Sequence, residues 1–358
     1  MCRIRREPAR RRLRALRERL FRNDSVIITS PNFAIEPLSM PIPALLEGHL
    51  RLPVVGAPMF IVSTPRLVLA QCKAGIVGSF PALNARPATQ LDDWLSEITE
   101  TLDSLRRADP AARIAPFAVN QIVHASNDRL EHDVEACVKH RVPIIITSLR
   151  PPAEVVKAVH AYGGIVFHDV INLRHAEKAA AQGVDGIIAV CAGAGGHAGV
   201  LSPFALVKQI REVYPGTIIL SGAMSTGADV LAAQALGADL AYIGTRFIAS
   251  EEANASAEYK QMLIEARAED IVYTSLFSGV AGNYLRASVT RTGLNPDDLP
   301  AADKSKMNFG SGGGAGLKAW RDIWSAGQGV SGIHDVASVP AITDRMLREY
   351  QAARARLA

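Results

Sequence analysis

The chain has 358 residues, 48% of them hydrophobic and 21% charged, which is enough apolar material for one large packed domain or one domain with a substantial insertion. Its net charge of +4 is local, because residues 1–22 hold ten Arg and two Glu and the remainder carries −4, so the body is not a basic nucleic-acid-binding surface. Without the apolar core of a secretory signal or the roughly 20 apolar residues of a membrane span, the sequence predicts a soluble, cytoplasmic protein with no nucleic-acid or membrane partner.

Residues 1–39 read as a basic, disordered extension, with Met40 as an alternative start. Beyond them, short apolar runs alternate with amphipathic stretches, the pattern of strands buried on both faces and joined by crossover helices. Val54 to Pro58 is the first strand, and Pro65 to Lys73 its helix, with Ser63 or Thr64 as cap and Pro65 at the first helical position. Ile76 to Phe80 is the second strand, followed by a helix around Gln90 to Leu105. Ala115 to Val119 is the third, ending at Asn120-Gln121, with a helix from Asn127 to Lys139 that Asn127 is expected to cap.

Pro143 to Thr147 is the fourth strand, followed by a helix from Pro152 to Tyr162. Ile165 to Asp169 is the fifth, followed by a helix from Leu173 to Gln182. Gly186 to Val190 is the sixth, and Ser202-Pro203 opens the helix that runs to Val213. Thr217 to Ser221 and Leu240 to Gly244 are the seventh and eighth, separated by a helix from Thr226 to Leu236. Eight such units predict an α/β chain folded as a closed (β/α)8 TIM barrel. Residues 40–247 and 333–358, the latter with a final helix from Pro340 to Arg354, form this barrel, and 248–332 form a mainly helical insertion over its mouth. The run Gly310 to Gly316 within it reads as a linker or as a lid.

From the sixth strand hangs Cys191-Ala192-Gly193-Ala194-Gly195-Gly196-His197-Ala198-Gly199, whose one large ionisable side chain is His197. Small residues let main-chain amides approach a flat or anionic ligand, and an imidazole can trade a proton near neutrality. Alone, such a loop is equally a flexible surface turn. Barrel chemistry, however, sits at the carboxyl ends of strands, with phosphate commonly held after strands seven and eight. Here those ends are Ser221-Gly222-Ala223 and Gly244-Thr245, small-residue turns that are each expected to open a helix and present backbone amides to an anion.

With no G-x-G-x-x-G in a βαβ unit and no Walker motif, a mononucleotide fits better than a dinucleotide. Its ring would lie over Ala57-Pro58-Met59, with Asn120 offering amide hydrogen bonds to its polar edge. Met59 reads equally as core, and Tyr273, Phe277 and Tyr284 as structural aromatics or as a cover for the mouth. Cys191 is expected to be a buried, inert thiol, like the other scattered cysteines, which form no C-x-x-C pair. His168-Asp169 either positions a ligand or forms a structural hydrogen-bonded pair. No metal-ligand spacing joins the histidines.

Together Ala57-Pro58-Met59 with Ser63-Thr64-Pro65, Ala194-Gly195-Gly196-His197-Ala198-Gly199, Ser221-Gly222-Ala223, Gly244-Thr245-Arg246-Phe247 and Ala326-Gly327-Gln328-Gly329 resemble the nitronate monooxygenases, formerly 2-nitropropane dioxygenases, over about residues 45 to 350. The resemblance implies FMN held by the first-strand loop, Asn120, Gly195, Gly196 and the turns after strands seven and eight. It also implies that His197 acts beside the flavin as a base or as a substrate-steering residue. Alkyl nitronates, and nitroalkanes where the base acts, would be oxidised by O2 to a carbonyl compound and nitrite, by a chain that a homodimer would also suit. Relatives with the same loop include flavin-dependent enoyl-acyl-carrier-protein and NADH:quinone reductases, so an NAD(P)H-dependent FMN reductase acting on a quinone or enoyl thioester is the alternative.

Overall fold

In the computed structural model, residues 42–300 and 320–357 are described. The basic segment 1–39 and the glycine run at 310–316 lie outside those residues. Eight parallel strands form one sheet: β1 (Val54–Gly56), β2 (Gly78–Pro81), β3 (Phe117–Val123), β4 (Ile144–Leu149), β5 (Ile165–Val170), β6 (Gly186–Val190), β7 (Thr217–Ser221) and β8 (Leu240–Ile243). From β2 to β8 each strand pairs with its sequence neighbours, and β1 pairs with β8. A bridge between Val55 and Val77, in which Gly56 N donates to Val77 O at 2.7 Å, brings β1 against the strand-two segment and closes the ring. The chain is thus a TIM barrel.

The barrel closes because its strands are apolar on both faces. Inward side chains, among them Val55, Ile144, Ile146, Phe167, Ile188, Ile219 and Leu240, fill the interior, and Leu46 packs with them. Outward ones, such as Val54, Ile145, Val166, Ile187 and Ile218, meet the helices. These helices are α1 (Pro65–Lys73), α2 (Gln90–Ala108), α3 (Leu130–Lys139), α4 (Ala153–His160), α5 (Leu173–Ala180), α6 (Pro203–Val213) and α7 (Gly227–Ala235). Pro65 opens α1, Asn172 caps α5, and Thr226 and Asp229 form a capping box on α7. Asn127 is not the cap of α3; it turns back earlier, accepting from Arg129 N and donating to Ile122 O.

After β8 come the short helix α8 (Thr245–Ile248), α9 (Ala257–Glu265), a hairpin of β9 (Ile271–Thr274) and β10 (Gly282–Leu285), and α10 (Arg286–Thr290). The hairpin was not anticipated in a segment read as mainly helical, although Ile271-Val272-Tyr273-Thr274 is a β-branched and aromatic run. The last helix, α11 (Val339–Leu357), packs against α1 and α7. Arg246, 3% exposed in its side chain, bonds Asp335 Oδ1 at 2.9 Å, and Arg345 of α11 grips the same carboxylate at 2.6 Å. This network fixes the segment after Ala326 to the end of β8.

The closest approach of α7 to α11 runs through Gly227, where an added Cβ would stand 1.7 Å from Met346 O. Gly227→Ala is therefore expected to destabilise the fold by about 3 kcal/mol, read as a lowered midpoint in urea denaturation.

Candidate active site

The glycine loop after β6 is held by hydrogen bonds from backbone and side chains. Gly193 O accepts from Ala223 N at 3.2 Å and from Gln328 N at 2.8 Å, and Ala194 O accepts from Asn283 Nδ2 at 2.6 Å. Gly196 N donates to Ser325 Oγ at 2.7 Å. Gly196 and His197 then form a two-residue strand antiparallel to Gly282 and Asn283 of β10. The glycines are required here: Gly193 and Gly196 have φ of +81° and +71°, and a Cβ on Gly195 would lie 2.9 Å from Gly327 N and 3.1 Å from Thr245 Oγ1. The loop is a fixed element, not a surface turn.

At the other side of the mouth, Asn84 fixes the loop after β1, donating to Met59 O and Ser63 O and accepting from Ile61 N at 2.9 Å. Ala57 N donates to Ile243 O at 2.9 Å, and a Cβ built on Gly244 would stand 3.3 Å from Ala57 Cβ and 3.5 Å from Met59 Sδ. The structure thus joins Ala57, Met59, Gly244, Thr245, Gly195 and Ala223 through direct neighbours, with half-buried Pro58 between Ala57 and Met59. Thr245 Oγ1 accepts from Gly327 N at 3.0 Å and keeps its own proton to donate.

Two details of the sequence reading change. The turn Ser221-Gly222-Ala223 does not itself open a helix, since α7 begins at Gly227, and Ala223 N–H is spent on Gly193 O. Asn120 is buried as expected for a polar group with partners, but its amide donors go to Ile146 O at 3.2 Å and Ser148 Oγ at 3.0 Å. Only its Oδ1 is left for a ligand.

Ser148 in turn donates to Asp169 Oδ2 at 2.5 Å, so β3, β4 and β5 carry a polar chain Asn120–Ser148–Asp169. Asp169 Oδ1 is enclosed without a hydrogen-bond partner, and burial pushes its carboxyl up to about 6. His168 and Asp169 are not a bonded pair, because successive strand residues face opposite ways. His168 bonds Thr147 Oγ1 at 2.8 Å, and burial lowers its imidazole to about 4. Cys191 is fully buried, its thiol pushed up to about 12 by desolvation, and is inert at neutral pH.

His197 Nε2 lies 2.9 Å from Ser278 Oγ, and its ring stands edge-on to Trp320 with centroids 5.0 Å apart. Tyr284, wholly buried, packs against Phe277 and reaches Ser278, whereas Tyr273 is 45% exposed and donates to Ala198 O. Burial lowers His197 to about 4, so the ring is neutral at pH 7. Asn84, Ser148, Ser278, Asn283 and Trp320 were not singled out from the sequence. Only Asn84 carried a local signal, as a polar residue just beyond the end of β2.

A TIM barrel whose small-residue turns meet at the strand ends is the class these features define, and the comparisons make it an oxidoreductase. The nitronate monooxygenase family model matches residues 43–348. The chain is 28% identical to a nitronate monooxygenase of Paraburkholderia phytofirmans, over 73% of this chain and 84% of that protein. Its fold is shared with a nitroalkane oxidase of Streptomyces ansochromogenes, with a TM-score of 0.70, 21% identity and coverage of 88% of this chain and 100% of that one. FabK from Thermotoga maritima is similar in fold, with a TM-score of 0.69, 23% identity and coverage of 87% and 96%. The chain belongs to the nitronate monooxygenase family and is a flavin-dependent oxidoreductase. Among the described residues, no helix is long and apolar enough to cross a membrane.

Titration of the buried groups makes stability depend on pH with opposing signs. His168 and His197 bind protons more readily when unfolded, so their contribution is full above about 6.5 and is lost as pH falls toward 4. Asp169 binds its proton more readily when folded, so its contribution is full below about 3.8 and is lost as pH rises through 6. Asp169→Asn is expected to raise the melting temperature at pH 7 and to steepen its fall between pH 6 and 4, measured by calorimetry of the flavin-free protein.

Proposed function

We propose that this chain is an FMN-dependent nitronate monooxygenase that oxidises alkyl nitronates, and the nitroalkanes that yield them, with O2 to a carbonyl compound and nitrite. The carrying observation is His197, a neutral imidazole fixed on the same glycine loop that touches Thr245 and Gly327. The residues fit a flavin mononucleotide. Asn120 Oδ1 and the unpartnered Asp169 Oδ1 suit the donors of a polar ring edge, and the Thr245 hydroxyl suits a phosphate oxygen. Beside Gly196 a Cβ would meet nothing nearer than Ser325 Oγ at 3.9 Å, so no protein atom crowds the backbone there. Bound FMN would supply the one-electron chemistry that links nitronate oxidation to O2.

His197 then divides two substrate forms by charge. A neutral nitroalkane must lose its α-proton, and an imidazole that is already unprotonated can accept it. An anionic nitronate needs no base, and a neutral ring brings it no charge. Burial weakens the ring as a base, so the nitronate is the better substrate and the nitroalkane the slower one. The half-buried Phe60, edge-on to Trp320 at 6.2 Å, and Trp320 itself supply apolar surface near the imidazole for an alkyl group.

Anaerobic titration of the flavin-loaded protein tests the reading: a short alkyl nitronate should reduce the flavin, and NADH and NADPH should not. Reduction by either nicotinamide alone would overturn it in favour of an NAD(P)H-dependent reductase acting on a quinone or an enoyl thioester. His197→Asn is expected to lower kcat/KM for a neutral nitroalkane about 100-fold or more and to spare the nitronate. In the wild type, the acidic limb of kcat/KM for the nitroalkane should fall near 4, where His197 protonates, and not near 6.5.

A further inference from the structure

The chain has seven tyrosines, and all but one hydrogen-bond the protein through their hydroxyls. Tyr162, Tyr214 and Tyr273 donate to the carbonyl oxygens of Val142, Val184 and Ala198 at 2.7, 2.9 and 3.0 Å, and Tyr259 donates to that of Ser325. Tyr350 donates to Gln234 Oε1 at 2.6 Å, and Tyr284 meets Ser278 Oγ at 3.4 Å. Tyr242, on β8, is the exception: its hydroxyl has no hydrogen-bond partner among the described residues.

Tyr242 is 8% exposed, and its hydroxyl is not one of the enclosed unpaired oxygens, so solvent reaches it. The side chain points into the barrel and packs in one cluster with Val55, Ile219 and Leu240, whereas Ala241 and Ile243 turn outward to the helices. Val55 of β1 and Ser221 of β7 flank it in the ladder. Beneath it Leu240, Phe167 and Leu46 fill the interior, none more than 1% exposed. The open side is therefore the mouth, where the ends of these same three strands carry Ala57, Ser221-Gly222-Ala223 and Gly244.

Asp169, two residues after the inward-facing Phe167, points into the same interior from β5, and its Oδ1 has no partner either. The two groups are not bonded to each other, yet the carboxylate is close enough to act on the phenol. Burial, and after it the charge of Asp169, push the phenol well above its ordinary value, so the hydroxyl keeps its proton at neutral pH. A buried O–H without an acceptor costs free energy that is recovered when an acceptor arrives.

We infer that Tyr242 is a flavin-binding residue whose hydroxyl donates a hydrogen bond to bound FMN from inside the barrel. This rests on the reading of the mouth as an FMN site. The turns that end β1, β7 and β8 are the segments assigned to the cofactor, and Tyr242 stands on or beside all three of their strands. His197, by contrast, lies on a segment paired with β10 of the insertion, outside the barrel strands. The phenol is thus placed for the cofactor and the imidazole for the substrate. Acceptors run the length of FMN, from ring carbonyls to ribityl and phosphate oxygens, and a neutral donor meets any of them without adding charge.

Tyr242→Phe removes the hydroxyl and keeps the ring. FMN uptake by the flavin-free protein, followed by quenching of flavin fluorescence, should show a dissociation constant raised about five- to tenfold. The melting temperature of the flavin-free variant should be unchanged or higher, because an unpaired hydroxyl is lost. In wild-type protein labelled at tyrosine Cζ, the Tyr242 carbon signal, assigned through its backbone correlations, should move when FMN binds. An unchanged dissociation constant overturns the inference, and so does a signal that FMN leaves in place, even where the variant fails to fold. A signal that moves only when a nitronate follows overturns it in favour of a substrate contact. Wild-type protein that takes up no FMN removes the cofactor reading together with this inference, whereas normal uptake by both wild type and Tyr242→Phe removes the inference alone.

Discussion

The site depends on one close approach of backbone to backbone. The loop Gly193–Gly196 lies so near the segment Ala326–Gln328 that a Cβ on Gly327 would stand 2.5 Å from Gly193 O and 2.7 Å from Gly195 N. No side chain fits between them, so both segments are glycine where they meet. The contact also brings Thr245 into hydrogen-bond range of Gly327 and Gln328 into range of Gly193. Three elements far apart in sequence, the ends of β6 and β8 and the chain before α11, are thereby locked together.

What the lock holds is His197. At Gly196 the chain leaves the barrel and becomes a short strand on β10, and the imidazole of His197 sits among Ser278, Trp320 and the wholly buried Tyr284. The insertion after β8 thus has a defined physical task, since it supplies both the backbone partner and the side-chain partner of the histidine. Desolvation by this packing keeps the ring neutral at pH 7, which suits proton acceptance better than attraction of an anion.

A second constraint runs across the barrel mouth. Asn120, Ser148 and Asp169 form a hydrogen-bonded chain on successive strands, and its last oxygen has no protein partner. A buried unpaired carboxylate oxygen is costly, and its cost is offset when a donor on a bound group reaches it. The same chain explains why Asn120 cannot offer its amide protons outward: in the reverse orientation its oxygen would face the carbonyl of Ile146.

The barrel was legible in the sequence because each strand is built on a short apolar run and most helices have a start or stop signal; β6, β7 and α1 lie at the residues the pattern marks. The small-residue turns were legible too, since glycine is conspicuous and its conformational freedom is a local property. The partners of those turns were not. Ser278, Asn283 and Trp320 are ordinary residues until the fold places them, and nothing in their neighbourhoods distinguishes them. Spacing likewise grouped His168 with Asp169, whereas the strand sends them to opposite faces. The sequence alone determined which elements form and where flexible backbone is needed, because propensity and periodicity act over a few residues. Tertiary structure alone decided which groups share a proton and which are shielded from water, because those depend on atoms brought together from distant parts of the chain.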